Sequence, residues 1–193
     1  MARPREFDEV AALDGAIDCF WRNGYEATSV RELAARMGIN CTSLYNAYGS
    51  KRALFQRALE CYLDRSMRER INRLETSQRP KEAIRAFIAE IIARSAADAN
   101  RRGCLLVNSA MEVAPHDRGL RRTIAQHLGE LEAFFRRCVI AAQHNGTIPP
   151  DRNPADLSRL LLGVVLGIRV LARSNPNATL MRGLARPALK LLD

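Results

Sequence analysis

The chain has 193 residues, 47% of them hydrophobic and 26% charged, and its formal net charge is +9 at pH 7. This length and apolar fraction exclude disorder as the dominant state. The longest apolar run, residues 160–168, is far shorter than the roughly 20 residues that a membrane helix needs. No apolar region follows the first arginines, so we expect no secretory signal and a cytoplasmic protein.

Neither the charge nor the cysteines identify a partner. Residues 1–52 carry seven basic and seven acidic side chains, so the positive excess lies later in the chain. The five cysteines are scattered and odd in number, which is typical of reduced thiols rather than of a disulfide framework or a zinc ribbon. We expect no metal site, since His116 and His127 would lie roughly 16 Å apart along a helix.

Hydrophobic periodicity predicts helices in nearly every part of the chain. The first helix has apolar residues three or four apart and ends at an Asn-Gly pair. A second helix begins at Ser29, which has the spacing of a capping box with Glu32. Gly38 ends that helix, and Asn40 is a suitable N-cap for a third helix that runs to about Tyr48.

The rest of the chain predicts six further helices. The first of them is long, from about residue 50 to 75, and the others are separated by glycine, proline or asparagine. Those others cover approximately residues 80–99, 104–113, 120–145, 154–173 and 178–192. The sequence therefore predicts an all-α protein of about nine helices, with an N-terminal domain of residues 1–52 and a C-terminal domain of residues 53–193.

The first three helices have the pattern of a helix-turn-helix unit, with a tight turn at residues 37–40. Such corners also occur in proteins that do not bind DNA, so the surface of the third helix is the more informative feature. That surface has neutral hydrogen-bonding groups of the kind that contact bases and phosphates. They are Thr42, Ser43, Tyr45 and Asn46, and they are flanked by Arg31, Lys51 and Arg52 near helix N-termini, where phosphates bind readily.

A known family has the same arrangement of residues. The segments that carry the resemblance are Ala27 to Ala34, Met37 to Ile39, Ser43 to Tyr45, Tyr48, Ser50-Lys51 and Leu54-Phe55. Together they resemble the DNA-binding head of the TetR family of bacterial transcriptional regulators over about residues 7–55. The resemblance implies an all-helical homodimer with three helices in the head and a C-terminal domain that binds an effector and dimerises.

The resemblance also implies roles for single residues. In the family pattern Tyr45 and Lys51 contact phosphates, and Arg31 contacts the DNA backbone or a groove edge. The residues implied to lie in the major groove are Thr42, Ser43 and Asn46. Core packing is the alternative for the two tyrosines of this helix, and we adopt it for Tyr48.

Two positions of the third helix depart from the family pattern. Cys41 stands where family members often carry a basic or polar residue. Ala47 stands where many members carry an aromatic residue or histidine. The resemblance therefore leaves the base contacts of this chain open.

The segment Gly103 to Asn108 resembles a subset of the family, some members of which sense oxidants or electrophiles through a thiol in this region. Cys104 follows two arginines and lies at a predicted helix N-terminus, and both features favour a thiolate. Cys41 has a similar position at the start of the third helix. The alternative is that cysteine acts as a small buried apolar residue, which we expect for Cys19, Cys61 and Cys138.

An effector pocket is expected among the fourth to eighth helices, where polar side chains would fix a ligand within an apolar cavity. The candidate ligand-binding residues are Cys104, Asn108, Glu112, His127 and Phe135. Each of them has an ordinary explanation as a capped, paired or solvated side chain. Signature motifs of common enzymes are missing, so we expect no catalysis and no cofactor.

The last two predicted helices carry more apolar residues than one buried face requires. Two apolar stripes run along the eighth helix, and Gly163 and Gly167 would allow another backbone to approach closely. A homodimer through a four-helix bundle of residues 154–192 explains this pattern, although a helix buried within its own chain would also explain it.

We therefore predict a homodimeric transcriptional regulator, most simply a repressor that an unknown small-molecule effector releases from palindromic double-stranded operator DNA. Two heads related by a two-fold axis would place their third helices in successive major grooves. One alternative is a redox- or electrophile-sensing repressor that acts through Cys104. An alternative of a different class is a helical carrier of small molecules that does not bind DNA.

Overall fold

The computed structural model describes residues 8–193, in which every regular element is a helix. The head consists of α1 (Glu9–Asn23), α2 (Val30–Arg36) and α3 (Cys41–Tyr48), and it is followed by a rod made of α4 (Lys51–Leu63), a π-helical turn (Asp64–Arg68) and α5 (Glu69–Ser77). The body consists of α6 (Pro80–Ala97), α7 (Leu105–Glu112), α8 (Arg118–His144), α9 (Pro154–Ser174) and α10 (Ala178–Lys190). With the continuous rod counted once, the described residues form nine helices, and the predicted all-α fold is confirmed.

Two expectations about membranes and targeting concern different parts of the chain. The prediction that there is no secretory signal rests on residues 1–9, of which 1–7 lie outside the described range. Within residues 8–193, no helix combines the length and the apolar composition needed to cross a bilayer.

Polar side chains cap the helices of the head where the sequence predicts them. The Ser29 hydroxyl accepts a hydrogen bond from the Glu32 amide at 3.1 Å, and the Asn40 side chain accepts one from the Ser43 amide at 2.7 Å. Only this half of the predicted capping box forms, because the Glu32 carboxylate accepts from the Asn23 side chain at 2.6 Å instead. Glu32 therefore fastens the start of α2 to the end of α1.

The corner between α2 and α3 depends on Gly38, and the packing of α1 against α2 depends on Gly15. Gly38 has a φ of +69°, a left-handed conformation that favours glycine, and it allows the chain to turn between the two helices. Gly15 lies in α1, and a β-carbon there would collide with the carbonyl oxygen of Arg36 at the end of α2. The close approach of α1 and α2 therefore requires glycine at position 15.

The π-helical turn places Arg68 at the centre of a polar cluster between the rod and α8. The Arg68 guanidinium donates to the carboxylates of Glu60 at 2.6 Å and Glu130 at 3.0 Å, and it lies 3.0 Å from Nδ1 of His127. His127 is only 2% exposed, and its Nε2 lies 3.0 Å from the Glu60 carboxylate. The cluster fixes the orientation of the rod relative to α8.

A continuous hydrophobic core joins the head, the rod and the body. In the body, Phe87 of α6 contacts Phe134 and Phe135 of α8, with ring centroids 5.2 and 5.5 Å apart. In the head, Phe20 of α1 meets Phe55 of the rod edge-to-face at 5.0 Å. Because these aromatic contacts cross the boundaries between helices, they position the surface of α3 relative to the rest of the molecule.

Candidate nucleic-acid interface

The outward surface of α3 is polar and exposed. Thr42, Tyr45 and Asn46 are exposed, and Tyr45 keeps 48% of its surface accessible. None of the three forms a hydrogen bond or ion pair with another residue in the range 8–193. Leu44 lies on the opposite face and is fully buried, so it anchors α3 to the head. The helix therefore presents hydroxyl and amide groups that are available to a partner.

The other residues of α3 complete this surface. Ser43 is half-buried, and its amide is the donor to the N-cap Asn40. Cys41 is exposed at the start of the helix, whereas Ala47 is half-buried. Tyr48 is half-buried and packs against the core, which is the role that we expected for it.

Two cations flank the surface of α3 at helix N-termini. Arg31 is the second residue of α2, is exposed, and has no ion pair among the residues that the structure describes. Lys51 is the first residue of α4, and its Nζ donates to the Glu26 carbonyl oxygen at 3.3 Å and lies 4.6 Å from the centroid of the Tyr25 ring. Helix N-termini attract phosphate through their unpaired amides and their positive dipole ends. The two cations therefore add to a rim that favours anions.

Two polar contacts connect the head and the first turn of the rod to the body. Arg52 at the start of α4 donates through Nε and Nη2 to both oxygens of Asp117, at 2.6 and 3.0 Å. The Glu112 carboxylate at the end of α7 accepts from the Glu26 amide at 2.8 Å. The sequence predicts neither contact, because the partners are 65 and 86 residues apart and no local spacing relates them. Asp117 directly precedes α8, where aspartate is a favourable N-cap, and this position is the local feature that marks it.

Asp117 has two functions that one substitution can separate. Its Oδ1 also accepts from the amides of Gly119 and Leu120 at the start of α8, at 2.8 and 2.9 Å. The hydrogen bond from Arg52, and then those backbone amides, hold the pKa of the Asp117 carboxyl well below its usual range. Asparagine also caps helices well, so Asp117→Asn removes the charge and retains the cap.

We expect Asp117→Asn to lower the melting temperature at neutral pH and to lose this effect in acid. A carboxyl whose pKa is lowered in the folded state stabilises it above its unfolded pKa of about 4, and the stabilisation disappears as the pH falls through the lowered native pKa. The difference in melting temperature between the two proteins should therefore shrink below about pH 4. A difference that stays constant down to strong acid would contradict the assigned role of the ion pair.

The five residues predicted to bind an effector lie in different surroundings in the structure. Glu112 is engaged by the head, and His127 is enclosed by the charged cluster around Arg68. Phe135 is fully buried against two other phenylalanines. Asn108 donates to the Arg102 carbonyl oxygen at 2.9 Å and fixes the loop before α7. Each of these side chains is occupied by contacts within the protein.

Cys104 is half-buried between the rod and α7. The Tyr62 hydroxyl lies 3.7 Å from its Sγ, and burial raises the pKa of Tyr62, so the phenol stays protonated and donates. Both residues line a narrow cavity of about 30 Å³, which has room for about one water molecule. Arg102 was expected to act on the thiol, but its guanidinium lies 4.2 Å from the centroid of the Trp21 ring and pairs with Asp98.

The remaining cysteines are free thiols, of which Cys19 and Cys138 are buried, Cys61 is half-buried and Cys41 is exposed.

The head and its polar third helix define a helix-turn-helix regulator, and comparisons with known proteins agree. Residues 12–58 match the family model described as bacterial regulatory proteins, tetR family, and residues 80–186 match the tetracyclin repressor-like C-terminal domain. The chain is 32% identical over 194 residues to the HTH-type transcriptional regulator YezE of Bacillus subtilis (strain 168), covering 100% of both chains. It is 27% identical over 190 residues to the HTH-type transcriptional repressor ComR of Escherichia coli (strain K12), covering 98% of this chain and 90% of ComR.

A solved structure extends the similarity to the whole fold. The TetR family transcriptional regulator CifR, as a triple cysteine mutant complexed with 26bp double-strand operator DNA, superposes with a TM-score of 0.88 at 31% identity and 100% coverage of both chains. The chain therefore belongs to the tetR family of bacterial regulatory proteins and is a DNA-binding transcriptional regulator. The resemblance predicted from the sequence is confirmed.

Proposed function

We propose that the chain is a homodimeric repressor that binds a palindromic operator through α3 and is released from it by a small-molecule effector. The observation that carries this proposal is the outward surface of α3, where Thr42, Tyr45 and Asn46 are exposed and form no hydrogen bond or ion pair with the described residues. Several relatives are named as transcriptional repressors, and CifR was solved in complex with operator DNA, which supports the proposal.

The roles of single residues follow from their positions. Side chains on the exposed face of α3 reach base edges, and the residues assigned to the major groove are Thr42, Ser43 and Asn46. Tyr45 and Lys51 hold phosphates, and Arg31 contacts the DNA backbone or a groove edge. Because few cations flank α3, affinity should fall with salt less steeply than for a strongly basic DNA-binding protein.

Outward apolar residues on α9 and α10 support a dimer through residues 154–192. Leu160 and Val170 of α9 and Leu180 and Leu184 of α10 are each between 39% and 52% exposed. A β-carbon at Gly163 would meet nothing within 4 Å, so this exposed position is open to a second copy. Gly167 differs, since a β-carbon there would lie 3.0 Å from Leu184 of the same chain. Of the two glycines of α9, Gly163 is therefore the one available for close approach between protomers.

We expect Gly163→Glu to convert the dimer into a folded monomer. The new carboxylate has space in the single chain but would be buried without a partner between two copies, which is unfavourable. Gly129→Glu on α8 is the matched control, because a β-carbon at Gly129 also meets nothing within 4 Å. Analytical ultracentrifugation measures the result. A Gly163→Glu variant that sediments as the wild type does would place the interface elsewhere.

A gel-shift assay with the intergenic DNA upstream of the protein's own gene tests the proposed function as a whole. A repressor of this class is expected to shift a duplex that contains an inverted repeat and to be displaced by its effector. The alternative, a helical carrier of small molecules, predicts no shift with any duplex.

Release by an effector requires coupling between its site and the head. To lower operator affinity a hundredfold, the effector must bind the DNA-free arrangement of the protein more strongly than the DNA-bound arrangement. The required difference in binding free energy is about 2.7 kcal/mol. We place the boundary between the DNA-binding domain and the effector domain near residue 52, so the rod that begins at Lys51 transmits the change. The contacts of Arg52 and Glu112 tie the head and the rod to the body and support that route.

A second candidate function is thiol sensing through Cys104, which the contact with the Tyr62 hydroxyl favours. A peroxide would oxidise the thiolate to a sulfenic acid, and the other peroxide oxygen would leave as water or an alcohol. We expect Cys104→Ser to retain operator binding and to lose release by peroxide, measured by gel shift before and after oxidant. Equal release of the serine variant and the wild type would exclude Cys104 as the sensor.

A further inference from the structure

A cleft of about 650 Å³ lies between the head and the body, and we call it the junction cleft. Its head wall comes from α1 and includes Asp14, Ile17 and Trp21, and the opposite wall is formed by the end of α6, the loop of residues 98–103 and α9. Sites for small molecules typically have about 300–1,000 Å³. The junction cleft is therefore large enough for a small organic ligand.

The junction cleft has more positive than negative charge. Four arginines and two aspartates line it, and the two aspartates hold two of the arginines in ion pairs. The other two arginines, Arg94 and Arg169, have no carboxylate partner within residues 8–193. Arg169 donates to the Ser95 hydroxyl at 3.3 Å. The cleft thus contains two guanidinium groups whose charge no carboxylate of residues 8–193 neutralises.

A third guanidinium lies close to these two. Arg70 is 6% exposed and its Nε lies 3.1 Å from the Glu90 carboxylate. Burial, and then the positive charges of Arg94 and Arg169, lower the pKa of Arg70. Arg94 and Arg169 therefore both repel the charge of Arg70, and an anion bound beside these two arginines would relieve that repulsion.

Aromatic side chains form another part of the cleft wall. The rings of Trp21 and Tyr62 meet edge-to-face, with centroids 4.9 Å apart, and both residues line the cleft. Nε1 of Trp21 is buried and has no hydrogen-bond acceptor in the described part of the chain. Aromatic walls of this kind suit a flat apolar group that also carries oxygen acceptors.

We propose that the junction cleft binds a small organic carboxylate, with its charged group between Arg94 and Arg169 and its flat apolar part against Trp21 and Tyr62. The inference rests on the proposed function and deepens it by naming the chemical class of the effector. A ligand held between α1 and the body lowers operator affinity if it binds the DNA-free arrangement of the head more strongly than the DNA-bound arrangement.

Benzoate is the probe, and Trp21, the single tryptophan of the chain, reports its binding. In a titration of the full-length protein at constant ionic strength, benzoate should change the fluorescence saturably with a dissociation constant of about 1 mM. Benzamide, which has the same shape without the charge, should produce no such change. Arg94→Gln together with Arg169→Gln should weaken binding at least about tenfold, because charge-assisted hydrogen bonds are lost.

Arg79→Gln is the matched control, because Arg79 is exposed at the other end of α6 and has no ion pair among residues 8–193. It should bind benzoate as the wild type does, and thermal melting should show that all variants fold. The proposal is overturned by an equal response to benzamide, by an unchanged response in the double variant, or by no saturable response to benzoate. The titration contains no DNA, so it measures benzoate binding independently of operator binding. A wild-type protein that binds benzoate but no operator would contradict the proposed function and would still support a carboxylate site in the junction cleft.

Discussion

Replacement of Thr42, Tyr45 and Asn46 by alanine should lower operator affinity at least about a hundredfold, because each lost contact to a base or phosphate is worth about 1–3 kcal/mol. All three side chains are exposed and have no partner within the described residues, so their removal leaves the interior of the head unchanged. Alanine also has the highest helix propensity, so α3 should persist. Fluorescence anisotropy with a labelled operator duplex measures the loss.

The control for this variant is a double substitution of similar character on the rod, Asn72→Ala with Ser77→Ala, at two exposed polar positions of α5. We expect the control to bind the operator as the wild type does. Sedimentation and thermal melting should show the α3 variant to be a folded dimer. Wild-type affinity in that variant would show that α3 does not read the operator.

Gly15→Ala should destabilise the head and reduce operator binding with it. The added methyl group would collide with the carbonyl oxygen of Arg36, and a backbone atom cannot turn aside as a flexible side chain can. Overpacking of this kind costs about 1–3 kcal/mol, which exceeds the gain of up to about 1 kcal/mol from replacing a helical glycine. Urea unfolding measures the stability. Because α2 carries α3 through the corner at Gly38, a displaced α2 also moves the DNA-binding surface.

Gly129→Ala provides the comparison, since a β-carbon at that exposed position of α8 meets nothing within 4 Å. It should be as stable as the wild type or more stable by up to about 1 kcal/mol. An equal gain in stability for both alanine variants would show that α1 does not pack closely against α2 at position 15.

The local features of the fold were predictable from the sequence because they depend on neighbouring residues. Asn40 caps α3 and Gly38 has a positive φ, as their chemistry predicts. The long helix predicted for residues 50–75 is present as the rod, but its π-helical turn at Asp64–Arg68 was not predicted. Apolar periodicity does not distinguish a single π turn from α-helix, and the partners of Arg68 come partly from α8.

The candidate site shows the same division between local and distant contacts. The exposure of Thr42, Tyr45 and Asn46 follows from their positions opposite Leu44 on one helix, so the sequence alone predicts it. The Arg52–Asp117 pair and the junction cleft require helices that are distant in the sequence to meet in space. No spacing rule relates such residues, so the sequence alone does not show which of the five predicted effector residues lie near one another.

Operator recognition by α3 is tested most directly by a hydroxyl-radical footprint of the full-length protein on a duplex that it selects from a random pool. We expect two protected segments on one face of the DNA, with centres one helical turn apart, about 34–36 Å, because two-fold related α3 helices occupy successive major grooves. The protection should disappear with the α3 alanine variant and persist with the α5 control. Absence of a footprint for the wild type, or an equal footprint for the α3 variant, would show that α3 does not bind operator DNA in this way.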